Sequence, residues 1–153
     1  TLSKRAGTAY WWGLTRPRNW QYNKNVKLCS TEFGKSGSFA FDKEGIYVIE
    51  RGHGWIHKKE FKENDYYFYL AIFCSTLFNS LLSIYSKQLA GGKWWDLSNK
   101  HTKNIPIPKI DKTIRESIIY EKLVILGKEI SDGMVKDYKT IDEYLKNSFY
   151  QYE

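Results

Sequence analysis

With 153 residues, 42% of them hydrophobic, and a net charge of +7, the chain is too apolar for intrinsic disorder and suits one domain that buries roughly two-thirds of its unfolded surface. Two cysteines, Cys29 and Cys74, supply neither a disulfide framework nor a structural zinc site, so a reducing, cytoplasmic setting is expected. No signal peptide is legible at the N-terminus. The most apolar run, Phe68 to Ile84, is broken by serines, Thr76 and Asn79 and is shorter than the about 20 apolar residues of a membrane span. The start at Thr1 leads us to expect a piece of a longer protein.

Taken in chain order, the first region reads as short strands. "YWWGL", "NVKLCSTEF", "SGSFAFD" and "GIYVIERG" mix β-branched and aromatic residues and are punctuated by Gly34, Gly37, Gly45, Gly52 and Gly54, the pattern of an antiparallel sheet with tight turns. The second region predicts one core helix. Leu70, Phe73, Leu77, Leu81 and Ile84 recur at helical spacing, Asn64 or Asp65 serves as N-cap, and Gly91-Gly92 ends the run. An extended "KWWDLS" follows, and then "IPIPKI", in which Pro106 and Pro108 fix φ and hold their isoleucines extended. That segment is expected to be a stiff strut pinned by Ile105, Ile107 and Ile110. A helix from near Asp111 to Gly133 and a second from Ile141 to Tyr152 complete the chain. The expected fold class is α+β: a twisted, mainly antiparallel sheet with a buried helix, followed by a C-terminal helical pair. Residues 1–110 would form the ligand-reading part, and residues 111–153 would pack on it or on a larger parent.

Charge is unevenly divided. Residues 1–110 carry 17 Lys and Arg against 8 Asp and Glu, whereas residues 111–153 carry 7 against 9. The whole basic excess therefore lies in the first two-thirds, as expected for a surface that meets a polyanion. Arginine reads guanine bidentately, and lysines hold phosphates. Three clusters qualify: Arg16, Arg18 and Trp20 in "TRPRNW"; Lys35 and Ser36 on the turn "GKSG"; and Lys93, Lys100, His101 and Lys103 around Trp94 and Trp95. Adjacent residues of a strand face opposite sides, so one of Trp94 and Trp95 should be core and the other available.

The succession Asn79-Ser80, Gly91-Gly92 with Trp94 and Trp95, the loop Asn99 to Asn104, and Ile105 to Pro108 resembles the TaqI-like C-terminal specificity domain of bacterial adenine-N6 DNA methyltransferases. It is also similar to the target-recognition domains of type I restriction specificity subunits. "WWGLTRPRNW", "KLCSTEFGKSGSFAFDKEGIYV" and the closing "IDEYLKNSFYQYE" extend the likeness over nearly the whole chain, although the Tyr-Gly-Leu ending common in that family is absent. The resemblance implies a domain that grips double-stranded DNA and reads base edges beside a separate methyltransferase domain. That domain would carry S-adenosylmethionine. This chain has no Asn/Asp-Pro-Pro-Tyr/Phe segment and no strand followed by a glycine loop for the cofactor, so we expect it to bind DNA without catalysing a reaction.

Other chemistries compete for the same residues. Asp42, Glu60 and Lys62 have the approximate spacing of a Mg-dependent nuclease site. His53 and His57 in "HGWIH" are two imidazoles on an extended segment, too few for zinc, and are read as turn and surface residues. Cys29 and Cys74 are read as small hydrophobes in a strand and a helix. A single-stranded DNA or RNA module that stacks bases on aromatics is a further alternative.

Overall fold

The computed structural model describes residues 24–36, 38–49, 51–57, 61–134 and 139–149. Residues two apart on a strand share a face, so Leu28 on one strand and Phe39 and Phe41 on the next turn apolar side chains to the same side. Strands β1 (Lys27–Ser30), β3 (Phe39–Asp42) and β4 (His53–Trp55) accordingly form an antiparallel sheet in the order β3-β1-β4. Leu28 stands opposite Phe41 on one side and Trp55 on the other, and the Trp55 indole N–H donates to Ser30 Oγ at 2.9 Å. A second, two-stranded sheet pairs β2 (Phe33–Gly34) with β5 (Trp95–Asp96). The fold is α+β.

Against the larger sheet lies α1 (Glu63–Cys74), with Phe68, Leu70 and Ala71 fully buried. Its environment is aromatic: Phe39 meets Phe73 at 5.0 Å and Phe78 at 5.8 Å, and Phe41 stacks on Tyr66 at 5.2 Å. Each such side chain, once fully buried, contributes about 1.5–3 kcal/mol. The helix begins one residue before Asn64. Lys62 is the cap, and Asp65 sits in the first turn, where its carboxylate accepts the Lys62 N–H at 2.9 Å.

The single core helix expected through this region is two. Ser75 ends α1 and starts α2 (Thr76–Tyr85), turning the chain by 71°. Its hydroxyl donates to the Ile72 carbonyl at 2.6 Å and accepts from the Phe78 N–H at 3.0 Å, so one buried side chain closes one helix and opens the next. Among the described residues no single helix is long and apolar enough to cross a membrane. Gly91-Gly92 does not cap a helix, because α2 already ends at Tyr85. Both glycines have positive φ, at 96° and 71°, and form the tip of a hairpin in which Leu89 N–H reaches the Trp94 carbonyl at 3.0 Å. Nor do the described residues of "GIYVIERG" form a strand. The chain there wraps Asp42 instead, and the third strand of the sheet falls on His53–Trp55. "YWWGL" lies outside the described residues.

The strut follows α3 (Asn99–Thr102). Ile105 is buried, Ile110 packs partly on the core, and Ile107 is exposed. The Tyr69 hydroxyl donates to the Pro108 carbonyl at 2.9 Å and fixes the strut to α1. Asp111 caps the short α4 (Lys112–Arg115), and Ser117 then caps α5 (Ile118–Ser131), so the first C-terminal helix is also divided. Gly127 brings α5 against the backbone of α1 at Tyr67. In α6 (Lys139–Phe149), Ile141 and Leu145 are fully buried, and the Asp142 carboxylate accepts from the Thr76 hydroxyl and from the Leu77 N–H at the start of α2. The C-terminal helices therefore share the core of the sheet and α1.

Candidate nucleic-acid interface

Two of the three basic clusters are joined by the small sheet. Phe33 pairs with Asp96 and Gly34 with Trp95, so the turn that follows β2 comes to lie beside the residue that precedes β5. Lys35 Nζ stands 6.0 Å from the Trp94 ring centroid, a cation–π contact between segments far apart in sequence. The turn is tied by its own polar groups. Ser38 N–H donates to the Lys35 carbonyl, and the Lys35 N–H donates to Ser38 Oγ, both at 3.1 Å. Gly34 is required at this point, since a Cβ there would lie 2.7 Å from that of Ser38. The Ser36 N–H points to Asn79 Oδ1 on α2 at 3.5 Å.

The two tryptophans divide as strand geometry dictates. Trp94 is 46% exposed, and Trp95 is half-buried against the core. Lys93 is exposed beside the hairpin tip, which Gln88 holds by donating its amide N–H to the Gly92 carbonyl at 2.8 Å. Sequence reasoning missed Asn79 and Gln88 as positioning residues. Their amides act through contacts with backbone that no local pattern announces.

Asp96 links β5 to α3. Its carboxylate accepts the Ser98 N–H at 2.8 Å and lies 3.5 Å from His101 Nε2. Burial pushes this carboxyl up, but the donations from Ser98 and the nearby imidazoles outweigh it and hold the group below the usual carboxylate range. His101 is thus half-buried on Asp96, while Lys100 and Lys103 on either side of it are exposed. The third cluster, Arg16, Arg18 and Trp20, lies outside the described residues.

The nuclease alternative meets Asp42 in a different role. Lys27 and Asp42 stand directly opposite each other in register, and both side chains are buried in an ion pair. The same carboxylate accepts the N–H groups of Ile46 at 3.1 Å and Tyr47 at 3.0 Å. Burial raises the carboxyl's pKa, but Lys27 and the two N–H groups more than reverse this, leaving it below its ordinary value. Glu60 lies outside the described residues, and Lys62 is the exposed cap of α1. Among the described residues no three His, Cys, Asp or Glu side chains converge as metal ligands would. His57 stacks on Phe61 at 3.3 Å between ring centroids, and His53, within β4, has a buried Nε2 that makes no hydrogen bond. Cys29 lies half-buried in β1 and Cys74 buried at the end of α1.

Comparison of the sequence with protein-family models and with curated proteins finds no match.

Proposed function

We propose that this chain is a sequence-specific, duplex-DNA-binding target-recognition domain of an adenine-N6 DNA methyltransferase, working beside a separate domain that binds S-adenosylmethionine and carries the chemistry. The observation behind this proposal is the β2–β5 pairing, which sets the Lys35–Ser36 turn against Trp94 next to Lys93. A tight turn that presents an exposed lysine suits phosphate contact, and an exposed aromatic held at a hairpin base suits contact with sugar or base edges. The basic excess of residues 1–110 supplies the salt-dependent affinity that positions such a reader. Arg16 and Arg18 are the proposed guanine readers.

The deciding experiment selects bound sequences from a randomised duplex pool at two salt concentrations. An asymmetric motif of several base pairs is expected, weakened uniformly by Lys35→Ala/Lys93→Ala and relaxed at particular positions by Arg16→Ala/Arg18→Ala. Salt-sensitive binding with no enriched motif would favour a generic nucleic-acid module, and absence of binding would overturn the proposal.

A further inference from the structure

A groove of about 500 Å³ runs beside the proline strut, within the size range of about 300–1,000 Å³ typical of small-ligand sites. Aromatic residues contribute much of its lining. Phe61 and Tyr69 are parallel to within 2° with centroids 5.9 Å apart, and Tyr69 continues to Phe73 at 6.0 Å and 26°. Pro106 and Pro108 line the same groove, with the strut fixed by the Tyr69–Pro108 hydrogen bond. Lys103 and Lys109 bracket the strut in sequence and are the charged residues among those described in the lining; both are exposed. Lys103 also ends the Asn99–Thr102 helix that Asp96 ties to the β2–β5 sheet, so the groove adjoins the proposed DNA face.

An aromatic, largely apolar groove flanked by ammonium groups favours a ligand that is aromatic at one end and anionic at the other. A nucleobase with its backbone phosphate has that form, because every base offers a π-face for stacking and carries a phosphate for lysine to hold. An extended apolar peptide would use the lining but would leave the two ammonium groups without an anion. We propose that this groove receives one unpaired base of the bound DNA, with its phosphate held by Lys103 and Lys109. This rests on the DNA-binding function proposed above and deepens it: the domain would distinguish a distorted or opened site from relaxed duplex.

The test compares two duplexes of identical length, one with a single bulged 2-aminopurine and one with that base paired. The bulged duplex should bind about tenfold more tightly, the lower end of what one stacked base contributes, and its 2-aminopurine emission should fall on binding. Lys103→Ala/Lys109→Ala, which alters only exposed side chains, should weaken binding of the bulged duplex more than of the paired one, because only the bulged base brings its phosphate to both ammonium groups. Ile107→Trp, which places a bulky ring in the groove, should remove the emission change. Equal affinity for the two duplexes would overturn the base pocket while leaving DNA recognition standing. Binding of deoxyadenosine monophosphate without a preference for the bulge would overturn assignment to a DNA strand in favour of a free nucleotide. Failure to bind either duplex would overturn both proposals.

Discussion

Arg115 holds Asp65 across fifty residues of sequence, with Nε at 3.2 Å from one carboxylate oxygen and Nη2 at 2.8 Å from the other. Asp65 has no exposed surface and also accepts from the Tyr120 hydroxyl at 2.7 Å. The pair lies at the point where the strut hands the chain to the C-terminal helices, so it locks α4 and α5 onto the start of α1. Removing one partner of a buried pair costs about 3–5 kcal/mol. Arg115→Met should fall at the low end, since the arginine side chain is itself 32% exposed. Urea denaturation at neutral pH measures the loss. Arg115→Lys should recover only part of it, because a lysine cannot offer the two-pronged donation.

Acid should act through the same class of group. For Asp65, burial raises the pKa, but Arg115, Tyr120 and the Lys62 N–H more than offset this and hold it below the ordinary value; for Asp42, Lys27 and two backbone N–H groups do the same. Carboxyls depressed on folding contribute stability above the unfolded pKa of about 3.9 and lose it as pH falls through the folded pKa. Stability should therefore hold from neutrality down to about pH 5 and decline below about pH 4. Asp42→Asn should be destabilised at pH 7, where it leaves Lys27 buried without its counter-charge. It should also show a shallower acid decline than the wild type, and thermal melts from neutrality down to about pH 2.5, below the unfolded carboxylate pKa, would show the curves converging at the acid end.

Gly127 is the contact on which α5 approaches α1. A Cβ at this position would lie 2.0 Å from the Tyr67 carbonyl oxygen and 2.6 Å from its carbon, and backbone cannot move aside as a flexible side chain can. Gly127→Ala gains about 1 kcal/mol of helix propensity, yet the helices must separate to admit the methyl. Overpacking of this kind costs about 1–3 kcal/mol or more, and here the upper end should win. A fall in melting temperature of several degrees is expected, at about 2–4 °C per kcal/mol for a chain of this size. An unchanged or raised melting temperature would show that the α1–α5 approach is looser than the geometry described.

What could be read in the sequence follows from how local each determinant is. The α+β class, β1 and β3, the extended Trp94–Asp96 segment and the helical start near Asp111 rest on alternation, β-branching and helical periodicity within a few residues. The break at Ser75 was hidden because the apolar period continues across it, and only the double role of the Ser75 hydroxyl reveals the turn. The helix that Gly91-Gly92 was expected to close ends earlier because residues 87–96 find strand partners. At the proposed interface, the basic residues were legible one cluster at a time. Their union was not, since the pairing of Gly34 with Trp95 is a tertiary fact. Asp42 shows the converse: its nuclease-like spacing is local, whereas its burial against Lys27 depends on strand register.

The exposed side chains of the proposed interface allow DNA binding to be tested separately from folding. Lys35 and Trp94 meet each other at the surface rather than the core, and substitutions at such positions usually shift stability by no more than about 0.5 kcal/mol. Trp94→Ala should therefore melt within a few degrees of the wild type while weakening DNA binding by about 1–3 kcal/mol, the contribution of one aromatic contact to a base. Lys35→Ala should reduce the steepness of the salt dependence of binding by about 0.9 in the logarithmic slope, as expected for one lost phosphate contact. Fluorescence anisotropy titrations on a single duplex from 50 to 200 mM salt (about the range over which such slopes are resolved) measure both effects. If Trp94→Ala bound DNA as the wild type does, the hairpin would be a structural brace alone. If Lys35→Ala left the slope unchanged, the "GKSG" turn would face away from the phosphate backbone.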